Sequence, residues 1–303
     1  MNKKLYVYLA AMGTVVLWAI SYIWIGKLIH HNIPPEFFVP LRILLAGSLL
    51  FFFNLLMGED MRIKKGDAKK FLLLAFCMPF VYFICETYGQ LMTDSETITS
   101  LVIATNPVFS VAAGLLIFKE RFDWVNILGV AVTIAGLFLV TYAHETAKGL
   151  MFYLGILVLF VAVISEVSQI SVTKMLGSGY SASVIVMYQF FFGTVLLLPL
   201  FFTKGIADFD ASVYLSWEVI YPILALAVLC SATAFTLWAF AIKNLGVAKT
   251  SIFLAIVPLV TGLLSYLFGS ETLGPVQWIG LAVAMVGLLL TQRVARNNKV
   301  SAS

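Results

Sequence analysis

Residues Thr99–Leu139 return 151 positions later as Thr250–Leu290, and the two segments align without a gap. Of 41 aligned positions 13 are identical, including Thr99/Thr250, Pro107/Pro258, Glu120/Glu271, Gly129/Gly280 and Gly136/Gly287. Apolar sequence gives chance identities, but not at one fixed spacing that also matches proline, glutamate and glycine. A duplication of this size constrains the architecture before any helix is assigned, so the chain reads as two related halves, 1–148 and 149–303.

Both copies are almost wholly apolar, and so is the rest of the chain: 61 % of residues are hydrophobic, 11 % are charged and the mean hydropathy is +1.01. A soluble domain is about half apolar and about a quarter charged. The chain therefore belongs in a membrane. Its apolar runs are continuous and long enough to cross a hydrocarbon core of about 30 Å as helices. They lack the alternation of a barrel strand, and only helices or closed barrels satisfy the backbone in lipid.

Ten spans are expected, at about 5–29, 35–57, 70–91, 97–118, 124–143, 150–174, 181–203, 217–242, 248–269 and 275–293. The first begins like a signal peptide but runs on without a small-residue cleavage pattern, so we read it as a retained helix. Cys77, Cys85 and Cys230 fall inside spans and read as small buried hydrophobes. No cysteine or histidine pair has metal-ligand spacing, and the net charge of +4 is spread over short loops, which argues against a nucleic-acid partner.

Lysine and arginine favour the cytoplasmic side of a membrane protein. With the N-terminus inside, fifteen of them fall on inner segments and only Lys148 and Lys204 on outer ones. Both termini are then cytoplasmic, in a multi-pass protein of the inner (plasma) membrane. Five spans per half is an odd number, so the second half enters the membrane from the opposite side. The fold class is thus all-α, with ten transmembrane helices as two inverted five-helix repeats, an arrangement common in secondary transporters.

The arrangement resembles the drug/metabolite transporter superfamily and, within it, the EamA-type families. The resemblance rests on two five-helix halves, Trp18 and Lys27 in the first helix, Pro107 and Pro258 in the fourth and ninth, and Glu120 and Glu271 at their ends. The glycines Gly129/Gly136 and Gly280/Gly287 follow. It implies a secondary-active transporter working by alternating access, most often an exporter of amino acids, aromatic ones included, or of related metabolites. It also implies a cavity lined by helices 1, 3, 4, 6, 8 and 9. A metabolite importer or exchanger of the same fold is the alternative, and an intramembrane enzyme or structural membrane subunit is the alternative from another class. The sequence shows no nucleophile, base or metal-ligand motif and no glycine-rich phosphate loop, so we assign no catalytic residue, metal or cofactor. The expected partners are a small-molecule substrate and the lipid bilayer, with a coupling proton and a homodimer as further readings.

Ionisable groups inside a span are costly and mark function or structural pairing. Lys27, Arg42, Glu86 and Glu166 are such groups. Lys27, Arg42 and Glu86 share an outer depth, so Glu86 is expected to pair with Lys27 or Arg42 as a gate, or to carry a coupling proton. Arg42 and Glu86 have uncharged repeat mates, Tyr188 and Leu237. Three- and four-residue steps put Tyr82, Glu86 and Gln90 on one stripe, and Glu166, Gln169 and Thr173 on another. Trp18, Ser21, Tyr82, Glu86, Asn106, Glu166, Gln169 and Trp238 are the candidate substrate-binding residues. Pro107 and Pro258 join Lys27 and Arg42 as candidate gating residues, because proline removes a backbone donor and kinks a helix. The small-residue stripes Gly129, Thr133, Gly136 and Gly280, Ala284, Gly287 permit close helix approach, within the protomer first and between protomers second.

Overall fold

The structure, a computed structural model, describes residues 3–109, 124–144, 149–176, 179–207, 209–245, 250 and 252–292. The first two helices, α1 (Lys3–His30) and α2 (Pro35–Met57), each match one apolar run. Pro35 opens α2, where its missing N–H costs nothing, and Gly58 ends it in the left-handed region at φ 68°. The third run is broken. α3 (Ala68–Ala75) passes through a π-helical segment, Phe76–Val81, into α4 (Tyr82–Thr93). Pro79 lies in that segment, and Met78 leaves the helical region at φ −140°, ψ 122°. The fourth run starts as α5 (Glu96–Ile103). Beyond residue 109 it lies outside the described residues, as do Lys119, Glu120 and Arg121.

The chain continues with α6 (Trp124–Tyr142), α7 (Leu150–Leu176), α8 (Ala182–Leu200) and the short α9 (Ala211–Tyr214). A second broken run follows: α10 (Trp217–Ala225), a π-helical segment Leu226–Thr233 and α11 (Ala234–Leu245). A 3₁₀ turn, Ile252–Ile256, then leads into α12 (Val257–Phe268), and α13 (Pro275–Thr291) closes the described chain. Among the described residues seven helices have the length and hydropathy to cross a membrane, and the apolar helices Phe253–Phe268 and Pro275–Thr291 are shorter.

The irregularities repeat as the sequence does. Residues 104–105 form a turn just before Asn106 and Pro107, and the 3₁₀ turn stands just before Pro258. The expected proline breaks are thus present in both halves. The π-helical segments of the two broken runs also correspond at the spacing of 151, although Cys230 stands in the second where Pro79 stands in the first; a further one, Phe201–Gly205 after α8, has no counterpart in α2.

Packing follows the same exchange of halves. α2 lies on α8 and α6 on α13; α1 packs on α11 and α12, and α7 packs on α4 and α5. Swapping the halves maps the α2–α8 and α6–α13 pairings onto themselves and the α1–α11 pairing onto α7–α4. One apolar cluster runs through both halves and includes Leu28, Phe38, Ile43, Leu101, Leu159, Phe190 and Leu226.

The glycine stripes meet inside the chain. A β-carbon on Gly136 would lie 2.4 Å from the Ala284 backbone nitrogen, and one on Gly129 or Gly287 would lie 2.4 Å from Thr291 or Thr133. Gly136→Val should therefore destabilise the fold by about 1–3 kcal/mol or more, since backbone on both sides leaves nothing to yield. Gly149→Ala, at a position open to solvent, should be neutral. Thermal midpoints of the two purified variants check this; equal midpoints would contradict it.

Where α3 begins, Lys70 donates to Asp67 at 2.7 Å and Tyr180 donates to the other Asp67 oxygen at 3.1 Å. The Lys70 bond above all holds the Asp67 carboxyl below its ordinary range. These contacts tie the loop of the first half to the second.

Candidate functional site

Starting α4 directly after the π-helical segment places Tyr82 and Glu86 one turn apart on a buried face. Tyr82 Oη donates to Glu86 Oε1 at 2.9 Å. Tyr22 of α1 stands beside Glu86 and Tyr82. All three side chains are buried. Glu166 of α7 lies within electrostatic reach of Glu86 and shares a hydrogen bond with Asn106, which the break in the fourth run presents. The second Glu166 oxygen, Oε2, is buried and has no hydrogen-bond partner among the described residues. One residue earlier, Ser165 donates to the Cys77 carbonyl at 2.6 Å, so α7 also braces the broken segment. Helix breaks free backbone groups that neighbouring side chains must satisfy.

Arg42 completes the polar group from α2. It is 3 % exposed, its Nε donates to Ser231 Oγ at 2.8 Å, and its guanidinium carbon sits 4.4 Å from the centre of the Phe83 ring. Its charge acts on Glu86. Ser231 belongs to the second π-helical segment, so Arg42 links the two broken runs. The ring face supplies an attraction for the cation that an aliphatic neighbour would not.

The expected ion pair of Glu86 with Lys27 or Arg42 is corrected by this geometry. Among the described residues Lys70–Asp67 is an ion pair, and His31 meets Glu218 at 3.2 Å, an ion pair only when the imidazole is protonated. Lys27 is exposed in the last turn of α1. Five residues separate it from Tyr22, about 140° around the helix, so burying Tyr22 turns Lys27 away. Glu86 is satisfied instead by the phenol one turn before it on its own helix. Arg42 acts on it by charge rather than by contact.

Trp18 lies one turn from Tyr22, with its ring 5.2 Å from Trp238 and 5.4 Å from Phe235 of α11. Both tryptophans are half-buried, so this aromatic group borders the acid–phenol cluster without closing over it. Ser21 is buried but spends its hydroxyl on the Trp18 carbonyl at 2.7 Å, so the structure gives it a backbone role, not an open donor. Gln169 donates to Thr173 at 3.0 Å, one turn along its own helix. Pro107 is half-buried beside Asn106, while Pro258 is buried at the start of α12, next to Val257, which packs with Tyr22.

Two participants were not singled out from sequence. Tyr22 carried a signal, its one-turn step from Trp18. Ser231 carried none, because nothing in a small apolar run announces a partner for an arginine in another helix.

The model of the EamA-like transporter family matches residues 5–142 and 153–293. A "probable terminal-alkyne amino-acid exporter" of Streptantibioticus cattleyicolor is 28 % identical over 251 residues, covering 80 % of each chain. A "probable amino-acid metabolite efflux pump" of Escherichia coli is 22 % identical over 294 residues, covering 92 % of each. One crystal structure superposes with a TM-score of 0.70 at 15 % identity, over 94 % of this chain and 95 % of that one, which speaks for the fold alone.

Proposed function

The chain belongs to the EamA-like transporter family, and from that membership we propose that it is a secondary-active exporter of amino acids or closely related metabolites. The proposal includes ten transmembrane helices in two inverted five-helix halves, both termini cytoplasmic, and alternating access between the halves. Support for the topology comes from the repeat, from the lysine and arginine asymmetry, and from the helix pairings that exchange when the halves are swapped. Support for the cargo comes from the relatives whose names specify amino-acid or metabolite export.

One observation carries the reading: Glu86, Glu166 and Arg42 stand among apolar helices at the broken segments. Charge in that place marks a path for polar cargo rather than a packing core. A zwitterion presents both signs, which two acids and one guanidinium can answer, while Trp18 and Trp238 offer faces for a side chain. Reconstituted protein should release labelled amino acids from preloaded proteoliposomes faster than empty liposomes do. Trp18→Ala, Tyr82→Phe and Asn106→Ala should each slow release about tenfold, the equivalent of about 1.4 kcal/mol, with folded yield unchanged. Wild-type rates in all three variants would remove this site from the transport path.

A further inference from the structure

We propose that Glu96 and Glu271 form a proton-binding clasp that shuts one side of the protein. Its assignment to the outer side rests on the orientation proposed above. Glu96 opens α5, and Glu271 follows α12. Each reaches across to the other element. Ser270 donates to Glu96 Oε2 at 3.3 Å, while the Thr97 backbone N–H donates to Glu271 Oε1 at 3.3 Å and the Thr97 hydroxyl donates to Glu271 Oε2. These crossed contacts bring the two carboxyl groups together.

Two carboxylates in that contact cannot both be ionised, so the closed clasp holds one proton. Glu271 accepts two donors at the first turn of α5, where the helix favours negative charge. Glu96, 4 % exposed, carries the proton. Opening separates the carboxyls and lets both ionise in water. The closed state therefore binds one proton more than the open one, and falling pH on that side favours closure.

A second observation points to a route for that proton. A recess of about 70 Å³ beside Glu96 is lined by Gly26, His30, Gln90, Asp94, Ser95 and Ser270, with Ile29 at its edge. Gln90 is 2 % exposed; its Nε2 donates to the Tyr22 carbonyl at 2.7 Å, and its Oε1 has no partner among the described residues. The recess has room for a water between Gln90 and the carboxyl pair, since one water occupies about 30 Å³. Gly26 makes room for the pair: a β-carbon there would stand 2.5 Å from Glu96 Oε1 and displace that carboxyl. The titratable groups facing the pair are His30 of α1, with exposed Lys27 on the same last turn, and Asp94 of the turn before α5. Among the described residues lining the recess there is no lysine or arginine.

Thr261 of α12, fully buried, serves as a reporter beneath the clasp. Thr261→Cys, in a chain whose three cysteines are replaced by serine, is labelled from outside with an impermeant maleimide in right-side-out vesicles. A Gly149→Cys chain supplies the thiol's own pH trend. From about pH 8 to about pH 5, a range that stays above the ordinary carboxylate pKa of about 4 so that an opened pair is ionised throughout, labelling relative to that reference should fall about tenfold. With Glu96→Gln, whose amide donates to Glu271 without a proton, labelling should be slow at every pH. With Glu96→Ala and Glu271→Ala together it should be fast at every pH. A reporter that tracks the reference at every pH, or a Glu96→Gln chain that keeps the wild-type pH response, would overturn the clasp. No cargo enters the measurement, so its failure leaves the exporter reading standing.

Discussion

Arg42→Met is expected to damage the protein more by itself than together with Glu86→Gln. Arg42 is buried, donates to Ser231 at 2.8 Å, faces the Phe83 ring and is the positive charge acting on Glu86. Methionine keeps much of the side-chain volume and loses all three interactions. What remains is a carboxylate in an apolar interior with two phenols and no cation. Removing one partner of a contacting buried ion pair costs about 3–5 kcal/mol; Arg42 acts on Glu86 across a longer gap, so the loss should fall below that range. Glu86→Gln in the same chain removes that charge and keeps an acceptor for Tyr82, so the double variant should recover a large part of the thermal stability and some efflux. The coupling from a double-mutant cycle should exceed about 1 kcal/mol. Additive losses in the two single variants would show that Arg42 serves only Ser231 and Phe83.

The general plan could be read from the chain because it rests on repeated or strongly one-sided signals. The match of Thr99–Leu139 to Thr250–Leu290 announced two halves, and Pro107 and Pro258 announced breaks that appear one turn ahead of them. Gly129 and Gly136 announced close packing, which the structure places against α13. What stayed hidden depends on contacts between distant positions. The second π-helical segment, Leu226–Thr233, has no proline to betray it. Depth alone suggested Lys27 as the partner of Glu86, yet rotation about α1 decides which residue faces in, and that residue is Tyr22. Ser21 looked like an open polar group but bonds its own helix, as serine often does in a continuous helix. Glu96 and Thr97 looked like the start of a span; their meeting with Glu271 required the chain to return 174 residues later.

Glu166→Gln is expected to abolish the effect of a pH gradient on transport, whereas Glu86→Gln should retain it. Sequence offered both acids and favoured Glu86 as the coupling residue. Their surroundings separate them. Glu86 is held by Tyr82, stands beside Tyr22 and sits in the field of Arg42, so its interactions are filled from within the protein. Glu166 shares a hydrogen bond with Asn106, but its Oε2 has no partner among the described residues. A buried ionised oxygen left in that state costs several kcal/mol, and a proton or the ammonium group of a cargo molecule would remove the cost. Two acids and one guanidinium also leave one negative charge over, which a single cation balances. If proton and cargo take turns at Oε2, inward movement of one drives outward movement of the other. A glutamine there cannot be neutralised by a proton, so stimulation of efflux by an imposed pH gradient should fall at least about tenfold, within the range of ordinary coupling energies. Exchange of labelled for unlabelled cargo at equal pH should continue, because it needs the site to bind and reorient but not to be protonated. Both rates can be measured in one preparation of proteoliposomes. Undiminished stimulation by the gradient in Glu166→Gln would remove Glu166 from the coupling step.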